Sequence, residues 1–216
     1  MDIISLSWGF RSKTVTEIET VINKAIESGI IVIAAAGNEG SNFDIPFPAN
    51  MTDVFCIGAA RAFGRDSEFN PPHEERFKFS VLGEEVRAAY TKRDCDPTAQ
   101  HSEEQVRSGS SIAVPVAVGI AANMLEYVIG VLDDRFEGRE ATVAMKKLFI
   151  AMSSATRKKD YKNLVPWDLF RGDMDTNCQG IVKILESEIG ISSIDDNRLY
   201  LDSNPSGSNS SFYYTH

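Results

Sequence analysis

The sequence predicts an α/β fold on a mainly parallel sheet, and two observations carry that prediction. Ile30-Ile31-Val32-Ile33-Ala34-Ala35-Ala36 is apolar without a break, the pattern of a parallel strand covered on both faces. A strand and an amphipathic helix precede it, so the N-terminal segment reads strand, helix, strand, and the alternation continues downstream. In such folds chemistry gathers at the C-terminal ends of the strands.

The elements follow in order. Asp2 to Gly9 reads as a short buried strand ending at glycine. Thr14 and Glu17 have the spacing of a capping box, Ile18, Val21, Ile22, Ala25 and Ile26 mark one helical face, and Gly29 stops the helix. After the apolar strand, a third strand is expected over Asp53 to Ala60. The charged stretch Arg61 to Lys78, with Pro71-Pro72, reads as a surface loop or insertion. Phe79 to Val81 and Val86 to Ala89 are expected as short strands, followed by a polar segment from Thr91 to Arg107. A long apolar helix after Ser111 is expected to be buried in the globule. An amphipathic helix is predicted over Ala141 to Met152 and a last short element over Gln179 to Glu188. Residues 1–190 thus form one domain, and 191–216, with the polar low-complexity run from Asp202, form a disordered tail.

Composition narrows the function. A net charge of −9 argues against nucleic acid or an anionic membrane surface as partner, because either needs a basic patch. The uncharged run Ser108 to Leu125 has the length of a membrane span, but its serines, Pro115, Gly119, Asn123 and many alanines suit a core helix better. Cys56, Cys95 and Cys178 are odd in number and widely spaced, so neither a disulfide framework nor a zinc site is indicated. No metal and no cofactor are expected. A basic leader with an apolar h-region is absent, which with the unpaired cysteines leans toward an intracellular protein.

Two loops carry chemistry. In Ser108-Gly109-Ser110-Ser111-Ile112-Ala113-Val114-Pro115 a serine follows a small turn and directly precedes a helix. A helix N-terminus offers unpaired N–H groups and the positive end of the dipole, so a serine there can attack a carbonyl while its own amide holds the oxyanion. Alone, Gly-Ser-Ser before a helix is most often an ordinary cap. Asn38 in Ala35-Ala36-Gly37-Asn38-Glu39-Gly40 ends the apolar strand, and alone it reads as a turn asparagine.

Their order in the chain changes the reading. The chain resembles the subtilisin-like serine proteases, which show N-M-S-L-G-G, then A-A-G-N-E, then Y-P leading to V-G-A, then F-S-x-x-G, then G-T-S-M-A-x-P-H-V-A-G. Here the same order appears as Ser5-Leu6-Ser7-Trp8-Gly9-Phe10, Ala35-Ala36-Gly37-Asn38-Glu39, Phe47-Pro48 leading to Ile57-Gly58-Ala59, Phe79-Ser80-Val81-Leu82-Gly83, and Gly109-Ser110-Ser111-Ile112-Ala113-Val114-Pro115-Val116-Ala117-Val118-Gly119. Gln179-Gly180-Ile181-Val182 is similar to the family's closing G-x-I-N-V.

The resemblance implies a three-layer subtilisin-like fold whose N-terminal part is missing. It implies Ser111 as nucleophile and Asn38 as side-chain oxyanion donor, with Ser7, Trp8, Gly9, Ala35, Ala36 and Gly37 binding a protein or peptide substrate. Trp8 and Phe10 replace smaller residues, and Ser110 and Val116 replace the family's threonine and histidine. The family's D-[ST]-G and H-G-T segments have no counterpart, and His73, His101 and His216 read as exposed side chains. The expectation is a serine endopeptidase that needs a missing N-terminal half as partner, this chain alone being incomplete and inactive. The alternative is a non-catalytic remnant that binds peptides or partners in the same cleft.

Overall fold

The computed structural model describes residues 2–11, 15–72, 78–90, 103–132, 138–154 and 161–189. Six strands form one sheet in the order β1 (Ile3–Leu6), β2 (Ile31–Ala35), β3 (Phe55–Ala60), β4 (Lys78–Leu82), β8 (Lys162–Leu164) and β7 (Ser153–Ser154). All neighbours run parallel except β7 against β8.

The parity of β2 builds the layers. Ile31, Ile33 and Ala35 face one side, where α2 (Ser110–Leu132), α3 (Glu140–Ala151) and α4 (Met174–Ile189) pack. Val32, Ala34 and Ala36 face the other, under Ile22 and Ile26 of α1 (Thr16–Glu27). Both faces of the strand are therefore apolar, which is why its sequence does not alternate. On the α2 side, Phe149 meets Phe55 and Phe79 edge-on at centroid distances of 5.3 and 5.2 Å.

Several details depart from the sequence-based expectations. The capping box at Thr14 and Glu17 does not cap α1, because Val15 occupies the N-cap and makes no side-chain cap bond; Thr14 itself lies outside the described residues. Glu17 and Glu19 in the first turn answer the helix dipole instead. The stretch from Arg61 to Lys78 is not simply a surface loop. Ser67 and Lys78 are buried, Lys78 opens β4, and Asn70 bonds both the N–H and the C=O of Ala59 at 2.9 and 2.7 Å.

The polar segment before α2 ends in β6 (Glu103–Arg107), antiparallel to β5 (Val86–Tyr90) in a separate two-stranded sheet. The short terminal element is a full helix, α4. The helix α2 is buried on one face only: Ala113, Val114, Ala117, Ala121, Met124 and Val128 meet the sheet and α3, while Pro115, Val116, Gly119 and Ala122 are exposed. By length and composition alone, its segment Ser110–Gly130 is long and apolar enough to cross a membrane. The tail expected over 191–216 lies outside the described residues.

Candidate active site

Two chain reversals meet at the C-terminal end of the parallel strands. One follows β2, where Ala36 N–H still bonds Ile57 O at 2.9 Å before Gly37 turns the chain with φ +98°. The other precedes α2. Gly109 there has φ +150°, a conformation open to glycine, and its carbonyl accepts the N–H groups of Ile112 and Ala113 at 3.0 and 3.2 Å, starting the helix.

Asn38 and the serine turn are joined directly. Ser110 N–H donates to Asn38 Oδ1 at 2.7 Å, and Gly37 N–H donates to the buried Ser110 Oγ at 3.2 Å. The first of these satisfies one of the donors that a helix N-terminus leaves open, and it also orients the carboxamide. With Oδ1 committed to Ser110, Nδ2 is left to point elsewhere. A methyl group added to Gly109 would stand 3.3 Å from both Asn38 Nδ2 and Ser111 Oγ, so the two converge over that glycine. Ser111 is half-buried, and its own N–H belongs to the first turn, where helix geometry provides no intrahelical acceptor. Ser7 Oγ donates to Ser111 O at 3.1 Å, which ties the segment after β1 to the same helix.

The turn is held from behind by Gly83. Gly109 N–H donates to Gly83 O at 2.8 Å, and Ser108 Oγ accepts from Glu85 N–H at 2.9 Å. A Cβ on Gly83 would lie 2.7 Å from Ala113 Cβ and 2.9 Å from Ala59 Cβ. Only a glycine lets β3, the Gly83 turn and α2 approach this closely. Nearby, Ser67 and then Arg61 hydrogen-bond Glu84 and hold its carboxyl below the usual carboxylate range.

A cleft of about 230 Å³ opens beside Ser111. Of the residues expected to bind substrate, Ser7, Trp8, Gly9, Ala35 and Gly37 line it, with Asn38, Ser110 and Ser111. Ala36 lies between two of them in sequence, with its side chain buried on the α1 face. Phe10 pairs with Phe47 through two backbone bonds of 2.7 and 3.1 Å, which ties the segment after β1 to the loop after β2.

Sequence reasoning missed several lining residues: Arg11, Phe43, Asp44, Pro46 and Pro71. They come from three separate loops, and no local pattern announces that these meet. A larger cavity of about 330 Å³, between Glu19 and Asp53, is lined by none of these residues. Among the described residues no cluster of His, Cys, Asp and Glu is arranged to hold a metal. The three histidines, His73, His101 and His216, lie outside the described residues.

Comparisons with known proteins agree with this architecture. The chain is 32% identical over 128 residues to subtilisin amylosacchariticus of Bacillus subtilis subsp. amylosacchariticus, covering 58% of this chain and 31% of that protein. It is 30% identical over 122 residues to a thermostable alkaline protease of Halalkalibacterium halodurans, covering 56% of this chain and 30% of that one. Among solved structures, the prenylagaramide maturation protease PagA superposes with a TM-score of 0.63 at 19% identity, over 83% of this chain and 62% of its own. The patellamide maturation protease PatA gives 0.59 at 20%, over 86% and 63%. These two share the fold. The chain spans about a third of the length of the curated relatives and about three fifths of the solved ones. The subtilase family, peptidase S8, matches residues 1–162, and the chain belongs to that family.

Proposed function

We propose that this chain carries the nucleophile and the oxyanion site of a serine endopeptidase. Ser111 Oγ attacks the scissile carbonyl, and the negative charge that develops on the carbonyl oxygen is held by Asn38 Nδ2 and by Ser111 N–H at the head of α2. The amine leaves, an ester remains on Ser111, and water then releases the acyl half. The observation that carries this reading is the 2.7 Å bond from Ser110 N–H to Asn38 Oδ1, because it turns the carboxamide so that its donor faces the serine.

A serine hydroxyl needs a base to take its proton and a carboxylate to orient that base. The reading assigns both to polypeptide outside this chain, packed against the open edge of β1 and the exposed face of α2. The helix α2 is read as a core helix and not as a membrane span, because it packs on β1 to β4 and carries Ser111 at its start.

Hydrolysis of a fluorogenic peptide by the full-length polypeptide tests the reading: activity is expected in the natural sequence and is lost in Ser111→Ala. Retained hydrolysis in that variant would overturn it. The second reading, a peptide-binding module without catalysis, rests on the cleft beside Ser111, whose lining comes from this chain alone. That module would bind peptides in the same cleft without cutting them.

A further inference from the structure

The mouth of the cleft holds an ion pair that the proposed chemistry does not use. Arg11 and Glu39 pair across it, and the Arg11 guanidinium lies over the Phe43 ring at 4.4 Å from the centroid. Among the described lining residues Arg11 is the only cation, against the carboxylates of Glu39 and Asp44.

The lining also includes Ser7, Trp8, Gly9, Ala35 and Gly37, with the rings of Pro46 and Pro71 beside the glycines. A Cβ on Gly9 would meet Pro46 Cβ and Cγ at 2.9 Å. One on Gly37 would stand 3.4 Å from Pro46 Cδ and 3.5 Å from Pro71 Cγ. Proline rings offer no donor or acceptor. A charged side chain entering here loses water and finds Glu39 already engaged.

We propose that Arg11 is a specificity-determining residue: by holding Glu39 it denies that carboxylate to lysine or arginine, leaves Asp44 as the other acid of the lining, and so shifts the cleft toward an uncharged, apolar side chain of a bound peptide. This rests on the reading above only in that the cleft takes a peptide; it does not require that the peptide be cut. Arg11 and Glu39 are 67% and 40% exposed, so the pair is screened and its effect on selectivity is modest.

The test uses the full-length polypeptide with Ser111→Ala, so that nothing is turned over. Fluorescence polarisation measures the affinity of labelled peptides that differ only in ending with Leu, Lys or Glu. With Arg11 intact the Leu peptide binds best. Replacing Arg11 by Met keeps an apolar stem over Phe43 and removes the charge. It is expected to raise Lys binding relative to Leu by about two- to five-fold, the size an exposed ion pair supports.

The gain disappears when Glu39→Gln is added, and it shrinks at high salt. An unchanged Lys-to-Leu ratio in Arg11→Met would overturn the inference. So would a gain that persists without Glu39, which would assign the effect to space and not to charge. Absence of any peptide binding would overturn it as well. Fluorophosphonate labelling of the natural sequence reads the catalytic proposal separately, so a failure of that proposal is seen without touching the binding result.

Discussion

Asn38 presents an acceptor and a donor that substitutions can separate. Its Oδ1 caps Ser110 N–H, and its Nδ2 is the proposed oxyanion donor. Asn38→Asp keeps the acceptor and loses the donor, so peptide hydrolysis should fall while the melting temperature changes little. The expected loss, roughly 10²–10³-fold in kcat, is the one established for a subtilisin and is carried over from it. Asn38→Ala loses both roles and should also lower the melting temperature.

Glu84 gives a pH signature at the same scale. Its carboxyl is held low by Ser67 first and Arg61 next, so it stabilises the fold above its ordinary value of 4.5, and that contribution is lost as pH falls through the lower folded value. Melting curves of the natural protein and Glu84→Gln should therefore differ near neutral pH and converge as the pH falls from 4.5 through the lowered folded value. A gap that stays constant through that range would contradict the assignment. That Asn38 and the serine turn meet was legible only from the order of the motifs along the chain, since each loop by itself reads as an ordinary turn or cap. Arg11, Phe43 and Asp44 were not legible, because their place beside Ser111 is set by loops that meet only in three dimensions.

At the scale of elements, the serine turn depends on glycines. Gly83→Ala would place a methyl group 2.7 Å from Ala113 Cβ and 2.9 Å from Ala59 Cβ. Both neighbours lie on rigid elements, so the expected cost is about 1–3 kcal/mol in urea unfolding. A variant as stable as the natural protein would show that α2 is free to shift.

The strands that carry the site were readable from apolar content alone, as β2 and β3 show. The β5–β6 ribbon was half read, since the strand Glu103–Arg107 is polar apart from Val106 and is specified by its partner, with Arg87 and Glu104 pairing across the ribbon at 3.2 Å. The strand β8 is three residues long, too short for any period to show. For α2 the apolar content gave the helix but not its burial. Small residues on both faces leave no moment to say which side meets the sheet.

At the scale of the molecule, the three-layer plan was legible because β2 is apolar at every position, which requires a helix layer on each side. The plan leaves one face open. The outer edge of β1 carries no strand among the described residues, and Val116, Gly119 and Ala122 line the uncovered side of α2. Contiguous apolar surface of this kind drives association. The isolated chain should therefore self-associate in sedimentation velocity, and Ala122→Glu should reduce that without lowering the melting temperature. A monomer at high concentration would contradict the expectation.

Whether Ser111 is the nucleophile is read by peptide mapping with mass spectrometry after reaction of the full-length polypeptide with a fluorophosphonate. A single phosphonyl adduct is expected, carried by Ser111 and strongly reduced in Asn38→Asp. An adduct on another serine, or none on the folded protein, would contradict it.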